Sequence, residues 1–439
     1  MTARGLVIAA PSSGAGKTTV TLGLLRHLAR SGVRVASAKT GPDYIDPAFH
    51  AAASGRPCFN LDSWAMRRPT LEALLGAVSR EAEIVVCEGV MGLFDGAGPQ
   101  AHGSTAELAA RLGWPVVLVI DIAKQAGSAA ALLRGFAAHR PGVRIAGVVL
   151  NRAAGERHAA LAASAIAATT PAIRCLGWLP RRADLALPER HLGLVQAGEH
   201  RAIDAFLDAA AEMVGARLDI AALLALAAPA AIPAGDAPAR PLPPIGQRIA
   251  VARDIAFAFA YPAVLDGWQA AGAEISTFSP LADQAPPDDA DAVYLPGGYP
   301  ELHAGCLAAA GRLRDGLSRA AARGAVIYGE CGGYMVLGRG LVDAAGTRHA
   351  MTGLLPLETS FAAPRLHLGY RQATLARATA LGAAGAALRG HEFHYATIVD
   401  EGTGPPLFAI ADADGAPIGQ AGRAIGGVMG SFIHLIDRA

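Results

Sequence analysis

In the second half of this 439-residue chain, a cysteine stands between glycines, Gly329-Glu330-Cys331-Gly332-Gly333, directly after the apolar run Ala325–Tyr328. Glycine on both sides permits the sharp strand-to-helix turn that lifts a nucleophile clear of its sheet. A thiol held there attacks acyl carbon once a base takes its proton, and a following helix N-terminus favours the thiolate. Upstream, Tyr294-Leu-Pro-Gly297-Gly298 places two glycines behind another strand. Backbone N–H groups of Gly298 and Gly332 could close an oxyanion hole. Downstream, Gly430-Ser431-Phe-Ile-His434 offers His434 as general base. A single late histidine is usually structural, but the three pieces together point to amide hydrolysis through a thioester. The remaining cysteines, Cys58, Cys87, Cys175 and Cys306, have no such setting.

The first half carries a different chemistry. Pro11-Ser-Ser13-Gly14-Ala-Gly16-Lys17-Thr18-Thr19 lies between an apolar run and a helical pattern. Small residues let backbone N–H groups close around phosphate oxygens, Lys17 reaches the β and γ phosphates, and Thr18 offers a hydroxyl to Mg²⁺. The usual first glycine is Pro11; Ser13, Gly14, Gly16, Lys17, Thr18 and Thr19 keep the phosphate-facing half. Lys39-Thr-Gly-Pro-Asp43-Tyr-Ile-Asp46-Pro follows the second run, at a strand end where an open α/β sheet binds ligands. Asp43 suits Mg²⁺, and Lys39 suits a phosphate or a substrate carboxylate; an Asx turn between Pro42 and Pro47 is the structural alternative. Ile84-Val-Val-Cys-Glu88 ends a hydrophobic strand in an acid, the usual second source of a Mg²⁺ carboxylate. Asp95 lies on the glycine-rich loop beyond it, free to reach a substrate. Asn151 closes the run Ile145–Leu150, either as a base-recognising amide or as a cap.

Positioning these residues requires two α/β domains. Apolar runs at Leu6–Ala10, Val33–Ala38, Ile84–Cys87, Val116–Ile120 and Ile145–Leu150 alternate with helix-period stretches at Thr18–Arg30, Pro69–Ser79 and Ser128–Ala138. Continuous apolar runs read as strands buried on both faces, hence a parallel, doubly wound sheet. The alternation resumes at Ile249–Ala252, Ala273–Phe278, Ala292–Leu295 and Ala325–Tyr328. The expected division is residues 1–228, a Pro/Ala-rich linker at 229–246, and residues 247–439. Hydrophobic residues at 52% supply two cores, and 38 Lys+Arg against 37 Asp+Glu give no electrostatic footprint for nucleic acid or a membrane surface. The mean hydropathy is +0.32. The most apolar stretch, Ile220–Gly235, is short for a span and reads as a buried helix entering the linker. Five cysteines without paired spacing, and an N-terminus that runs straight into a motif, unlike a signal peptide, fit the cytoplasm.

The second domain resembles class I glutamine amidotransferases. End to end, the chain resembles the cobyrinic acid a,c-diamide synthase family with its hydrogenobyrinic acid members, through PSSGAGKTT, KTGPDYIDPAFH, CEGVMGLFDG, PGGYPE, YGECGGYMVLG, GHEFHY and GSFIHL. KTGPDYIDPAFH and CEGVMGLFDG discriminate best, because they separate this family from generic phosphate-loop proteins. The resemblance implies a dethiobiotin-synthetase-like ATP domain joined to a glutaminase domain. It also implies amidation of the a and c acetates of a corrinoid tetrapyrrole with ATP, Mg²⁺ and L-glutamine, and a homodimer. On that analogy Lys17, Thr18, Asp43 and Glu88 handle phosphates and metal, and Tyr44, Asp46 and Asp95 lie near the substrate carboxylate. Cys331 and His434 form the glutaminase pair.

One departure stands out. Many triad amidotransferases carry a glutamate two residues after the histidine, where this chain has Ile436. Asp437 and Glu392 are the candidates to orient His434, and His391 and His394 either contact substrate or fill a core. Ammonia has to reach an acyl phosphate unprotonated, which asks for an enclosed route. Two other readings stay open here: a ligase for another acid such as a nickel sirohydrochlorin, and a regulatory phosphate-loop ATPase whose second domain is degenerate.

Overall fold

The computed structural model describes residues 3–185, 189, 190, 193–199 and 202–439. Two compact units result, one of Met1–Trp64 with Leu71–Ala237, the other of Ala65–Thr70 with Pro238–Ala439.

The first unit is built on seven strands: β1 (Arg4–Ala9), β2 (Val35–Thr40), β3 (Cys58–Leu61), β4 (Ile84–Glu88), β5 (Val116–Asp121), β6 (Ile145–Ala153) and β7 (Arg174–Pro180). They lie in the order β3-β2-β4-β1-β5-β6-β7, every pair parallel. Leu6, Val7 and Ile8 of β1, Val85 and Val86 of β4, and Val117–Ile120 of β5 are fully buried. The continuous apolar runs therefore do fill a sheet covered on both faces. Each fully buried Val, Leu or Ile contributes about 1.5–3 kcal/mol. The β1 end opens into the phosphate-loop segment and helix α1 (Lys17–Arg30), and β2 opens into helix α2 (Asp46–Ser54). Strand β2 begins and ends two residues later than its apolar run implies, so Lys39 is a strand residue. Short β3 and the half-polar β7 escape the sequence pattern.

The second unit holds a ten-stranded sheet. Four strands, β8 (Arg248–Ala252), β9 (Glu274–Phe278), β10 (Ala292–Leu295) and β11 (Val326–Glu330), pair in parallel as β9-β8-β10-β11. Six more follow: β12 (His367–Leu375), β13 (Ala387–His394), β14 (Pro406–Ala411), β15 (Pro417–Ile425), β16 (Val428–Ser431) and β17 (Ile433–Arg438). β16 joins β11 in parallel, and the sheet continues antiparallel as β16-β15-β14-β12-β13-β17. Only Phe432 separates β16 from β17, yet four strands lie between them in the ladder. The antiparallel part must therefore curl back on itself, which returns His434 to the end of β11. This antiparallel extension is absent from the sequence reading.

The Pro/Ala-rich stretch is laid along both units. Ala231 N–H donates to Leu112 and Gly235 N–H to Glu72 in the first unit, 2.7 Å each. Arg240 donates to the Ala270 carbonyl in the second, at 2.6 Å.

Candidate active sites

The phosphate-loop segment is shaped by Gly14 and Gly16, both left-handed, with Gly16 at φ 95° as the residue that opens α1. Gly16 is required twice: φ is unfavourable for other residues, and a side-chain carbon would lie 2.2 Å from Asn151 Nδ2. Asn151 donates Nδ2 to the Ala15 carbonyl at 2.8 Å and accepts from Arg152 N–H, so its amide is committed to the loop itself. Ser13 and Gly14 are exposed, and Thr19 is half-buried on the first turn of α1. Lys17 donates Nζ to the Met91 carbonyl at 2.6 Å. Burial lowers the Lys17 pKa, and Glu88 opposes the shift.

The residues expected to divide between metal and substrate instead form one cluster, buried at Lys39, Asp46 and Glu88 and half-buried at Thr18 and Asp43. Lys39 Nζ lies 2.5 Å from Asp46 Oδ2, 3.0 Å from Glu88 Oε1 and 3.7 Å from Asp43 Oδ2. Glu88 accepts from Thr18 Oγ1 at 2.6 Å and contacts His50 Nε2 at 2.7 Å. His50 sits one helical turn beyond Asp46 on α2 and is fully buried. Burial alone would lift Glu88, but Lys39 and His50 outweigh it and hold its carboxyl below the usual range. Burial and then Asp43 raise Asp46 to about 7, against the pull of Lys39. Burial disfavours a charged His50, yet Cys58 and Glu88 carry it up to about 10. Tyr44 is buried beside this group in sequence, whereas Asp95 is exposed and accepts from Gly92 N–H at 3.0 Å.

These oxygens fit a magnesium ion. Cis ligands on octahedral Mg²⁺ are about 3.0 Å apart when each bond is about 2.1 Å. Thr18 Oγ1 and Glu88 Oε1 are already 2.6 Å apart, and Asp43 offers a further carboxylate oxygen beside the same ammonium. All three are hard donors.

In the second unit Cys331 has φ 47° and is almost fully buried, on a turn between β11 and the six-residue helix Gly332–Leu337. A non-glycine residue in the left-handed region at a nucleophile position is the strained elbow the flanking glycines imply. Its N–H donates to the Ser431 carbonyl at 2.8 Å, tying the elbow to β16. Gly297 marks the point of closest approach. A side-chain carbon there would lie 2.3 Å from His434 Cε1, 3.0 Å from His434 Nε2 and 3.3 Å from Cys331 Cβ. The Nε2 edge of His434 and Cys331 thus border the same patch of backbone. A carbon on Gly332 would lie 3.0 Å from Gly298 N, so the two expected oxyanion donors are neighbours.

Electrostatically this is a neutral pair. Burial, then Glu301, push the Cys331 thiol well above its ordinary value. Burial, then His391 and His394, lower His434 to about 3. A one-and-a-half-turn helix adds little dipole, so deprotonation falls to the neutral imidazole, not to a preformed thiolate.

Neither expected partner reaches His434. Asp437 pairs with Arg389 beyond a bulge at Ile436, and both its oxygens take Arg67, at 2.8, 3.0 and 2.6 Å. Glu392 takes Arg371 Nε at 2.7 Å and contacts His394 Nε2 at 2.9 Å. His391 stands opposite His434 across the ladder. His367, Glu392 and His394 bring their ligand atoms within 4.8 Å, but the two rings stack only 6° from parallel. A metal must lie in the plane of each imidazole it binds, which near-parallel stacked rings forbid, so the group is a hydrogen-bonded stack. Sequence reasoning missed His50, whose spacing from Asp46 was legible, and Glu330, which lies 3.8 Å from His434 Nδ1.

Comparison with known proteins matches residues 6–195 to the CobQ/CobB/MinD/ParA nucleotide binding domain and residues 248–438 to the CobB/CobQ-like glutamine amidotransferase domain. A hydrogenobyrinate a,c-diamide synthase from Sinorhizobium sp is 55% identical over 437 residues, covering 99% of both chains. The enzyme of that name from Rhizobium meliloti (strain 1021) is 54% identical over 433 residues, again 99% of both. That from Rhodobacter capsulatus is 55% identical over 436 residues, 99% of this chain and 98% of its own. No helix among the described residues is long and apolar enough to cross a membrane. With both halves matched and every motif in place along its full length, the chain belongs to the hydrogenobyrinate a,c-diamide synthase family.

Proposed function

We infer that this protein amidates the a and c acetate carboxylates of hydrogenobyrinate, taking nitrogen from L-glutamine and energy from ATP. The observation that carries the reading is the Cys331 elbow bordering His434 and Gly298, in a chain whose other unit carries a phosphate loop against Glu88. A regulatory ATPase has no use for a strained thiol beside a neutral imidazole.

The residues divide the work as follows. Asn151 and Gly16 hold the loop whose N–H groups face the triphosphate. Lys17 leaves the Met91 carbonyl for the β and γ phosphates, whose charge would restore the proton affinity that burial lowers. Thr18, Asp43 and Glu88 would hold Mg²⁺, which when bound neutralises charge on the transferring phosphoryl group. Lys39, locked between Asp46 and Glu88, sets the spacing of these carboxylates. Tyr44, Asp46 and Asp95 lie at or beyond the strand ends where the tetrapyrrole carboxylate would approach. The carboxylate oxygen attacks the γ phosphorus and ADP leaves, giving an acyl phosphate that ammonia can attack with loss of phosphate.

In the glutaminase unit, His434 takes the Cys331 proton as sulfur attacks the carboxamide carbon. Gly298 and Gly332 N–H groups receive the oxyanion. His434 returns the proton to departing ammonia, and water cleaves the thioester to glutamate.

The acyl phosphate makes a direct demand. Hydrogenobyrinate with heavy-oxygen-labelled carboxylates is expected to pass one labelled oxygen to inorganic phosphate for each amide formed. Label appearing in ADP or AMP, or staying entirely with the tetrapyrrole product, would exclude this route.

A further inference from the structure

The glutaminase pair described above has no carboxylate at the usual place after the histidine, yet a carboxylate reaches the same ring from the other side. Glu330, the residue immediately before the nucleophile, is 2% exposed. Its Oε2 lies 3.8 Å from His434 Nδ1, the nitrogen remote from the Nε2 edge that borders Cys331. Three neutral donors hold that carboxyl group. Tyr294 OH donates to Oε2 at 2.7 Å, Tyr328 OH donates to Oε1 at 2.8 Å, and Leu435 N–H donates to Oε1 at 3.0 Å.

The tyrosines are register partners on β10 and β11, stacked at 5.7 Å and 15°. Leu435 is the residue immediately after His434. Glu330 therefore ties the residue before the nucleophile to the backbone beside the base, and places a carboxylate next to the His434 ring, 3.8 Å from Nδ1 and beyond direct hydrogen-bond length. Burying a carboxyl group with neutral donors alone is costly, a poor choice for a merely structural acceptor that glutamine would satisfy. The charge gains value when His434 takes the Cys331 proton, because the imidazolium then presents Nδ1–H to it.

We propose that Glu330 is the positioning carboxylate of the glutaminase site, completing a Cys331–His434–Glu330 triad in which the acid precedes the nucleophile. This rests on the glutaminase reading of Cys331 and His434. The groups that face His434 are Glu330 and Cys331 from the β11 elbow, His391 and His394 from β13, and the Phe259 carbonyl. Burial raises Glu330 to about 7, while Leu435 N–H, Tyr294 and Tyr328 pull it down. Removing one of those donors shifts it further up.

The test compares glutamine-driven and ammonia-driven amidation in the full-length protein. Glu330→Gln keeps the shape but presents an amide N–H₂ to the ring, and should lower glutamine-driven kcat on the order of 10²-fold or more, with KM for glutamine little changed. Ammonia-driven amidation reports that the variant is folded. Tyr294→Phe, a milder change, should move the acidic limb of the glutamine-driven rate to higher pH, since Oε2 loses a donor to its charged form. Glutamine-driven kcat within about twofold of wild type in Glu330→Gln, or an unmoved acidic limb in Tyr294→Phe, overturns the proposal. Cys331→Ala separates the two levels. If it still hydrolyses glutamine, the glutaminase reading itself fails; if it does not while Glu330→Gln does, only the triad fails.

Discussion

Cys331→Ala is expected to abolish glutamine-driven amidation, by at least about 10⁴-fold, and to leave ammonia-driven amidation in place. The asymmetry follows from the architecture. Cys331 sits on an elbow at φ 47° whose contacts are with β16, Gly297 and His434, all in the second unit. None of the phosphate-loop residues depends on it. A small residue at that position also relieves left-handed strain only slightly, so the fold should persist. The check is a paired rate measurement with saturating glutamine and with ammonium at alkaline pH. Loss of both activities would make Cys331 structural, and retention of both would place the nucleophile elsewhere.

Glu88→Gln is expected to stop amidation with either nitrogen source, on the order of 10²–10³-fold in kcat. Glu88 is fully buried at the end of β4, and its charge is engaged by Lys39, His50 and Thr18 together. The amide keeps the shape but removes the charge on which the proposed Mg²⁺ site rests. It also leaves the buried Lys39 ammonium with two carboxylates, Asp46 and Asp43, instead of three. Breaking a buried pair typically costs about 3–5 kcal/mol; the surviving partners should hold the loss near the lower end. Thermal unfolding and a Mg²⁺ titration of the ATP-dependent rate read the two effects separately. Amidation undiminished at unchanged Mg²⁺ would remove Glu88 from the site.

How much of this was legible in the sequence varied with the physics of each segment. Runs such as Val116–Ile120 announce themselves because a parallel strand buried on both faces is apolar at every position. The antiparallel strands do not. In Pro417–Ile425 the first four residues are exposed and burial alternates only weakly afterwards, so no period rises above the loops around it. The two nucleophile-side glycine motifs were legible because backbone geometry demands glycine there. Glu330 was not, because its tie to His434 arises only when the curled sheet returns β17 to the end of β11. Asp437 fails as the orienting acid for a reason that is also tertiary. Arg67, distant in sequence, takes its carboxylate. Lys39 illustrates a third kind of limit. Its charge suggested a phosphate or substrate contact, but three carboxylates converge on it, and that convergence of β2, α2 and β4 is tertiary.

The most direct measurement is mass spectrometry of hydrogenobyrinate after incubation with the protein, ATP, Mg²⁺ and glutamine. The expected result is a product with two carboxylic acids converted to amides, formed only when ATP is present. Hydrogenobyrinate recovered unchanged while glutamine is hydrolysed to glutamate would contradict the account, leaving the glutaminase but not the ligase.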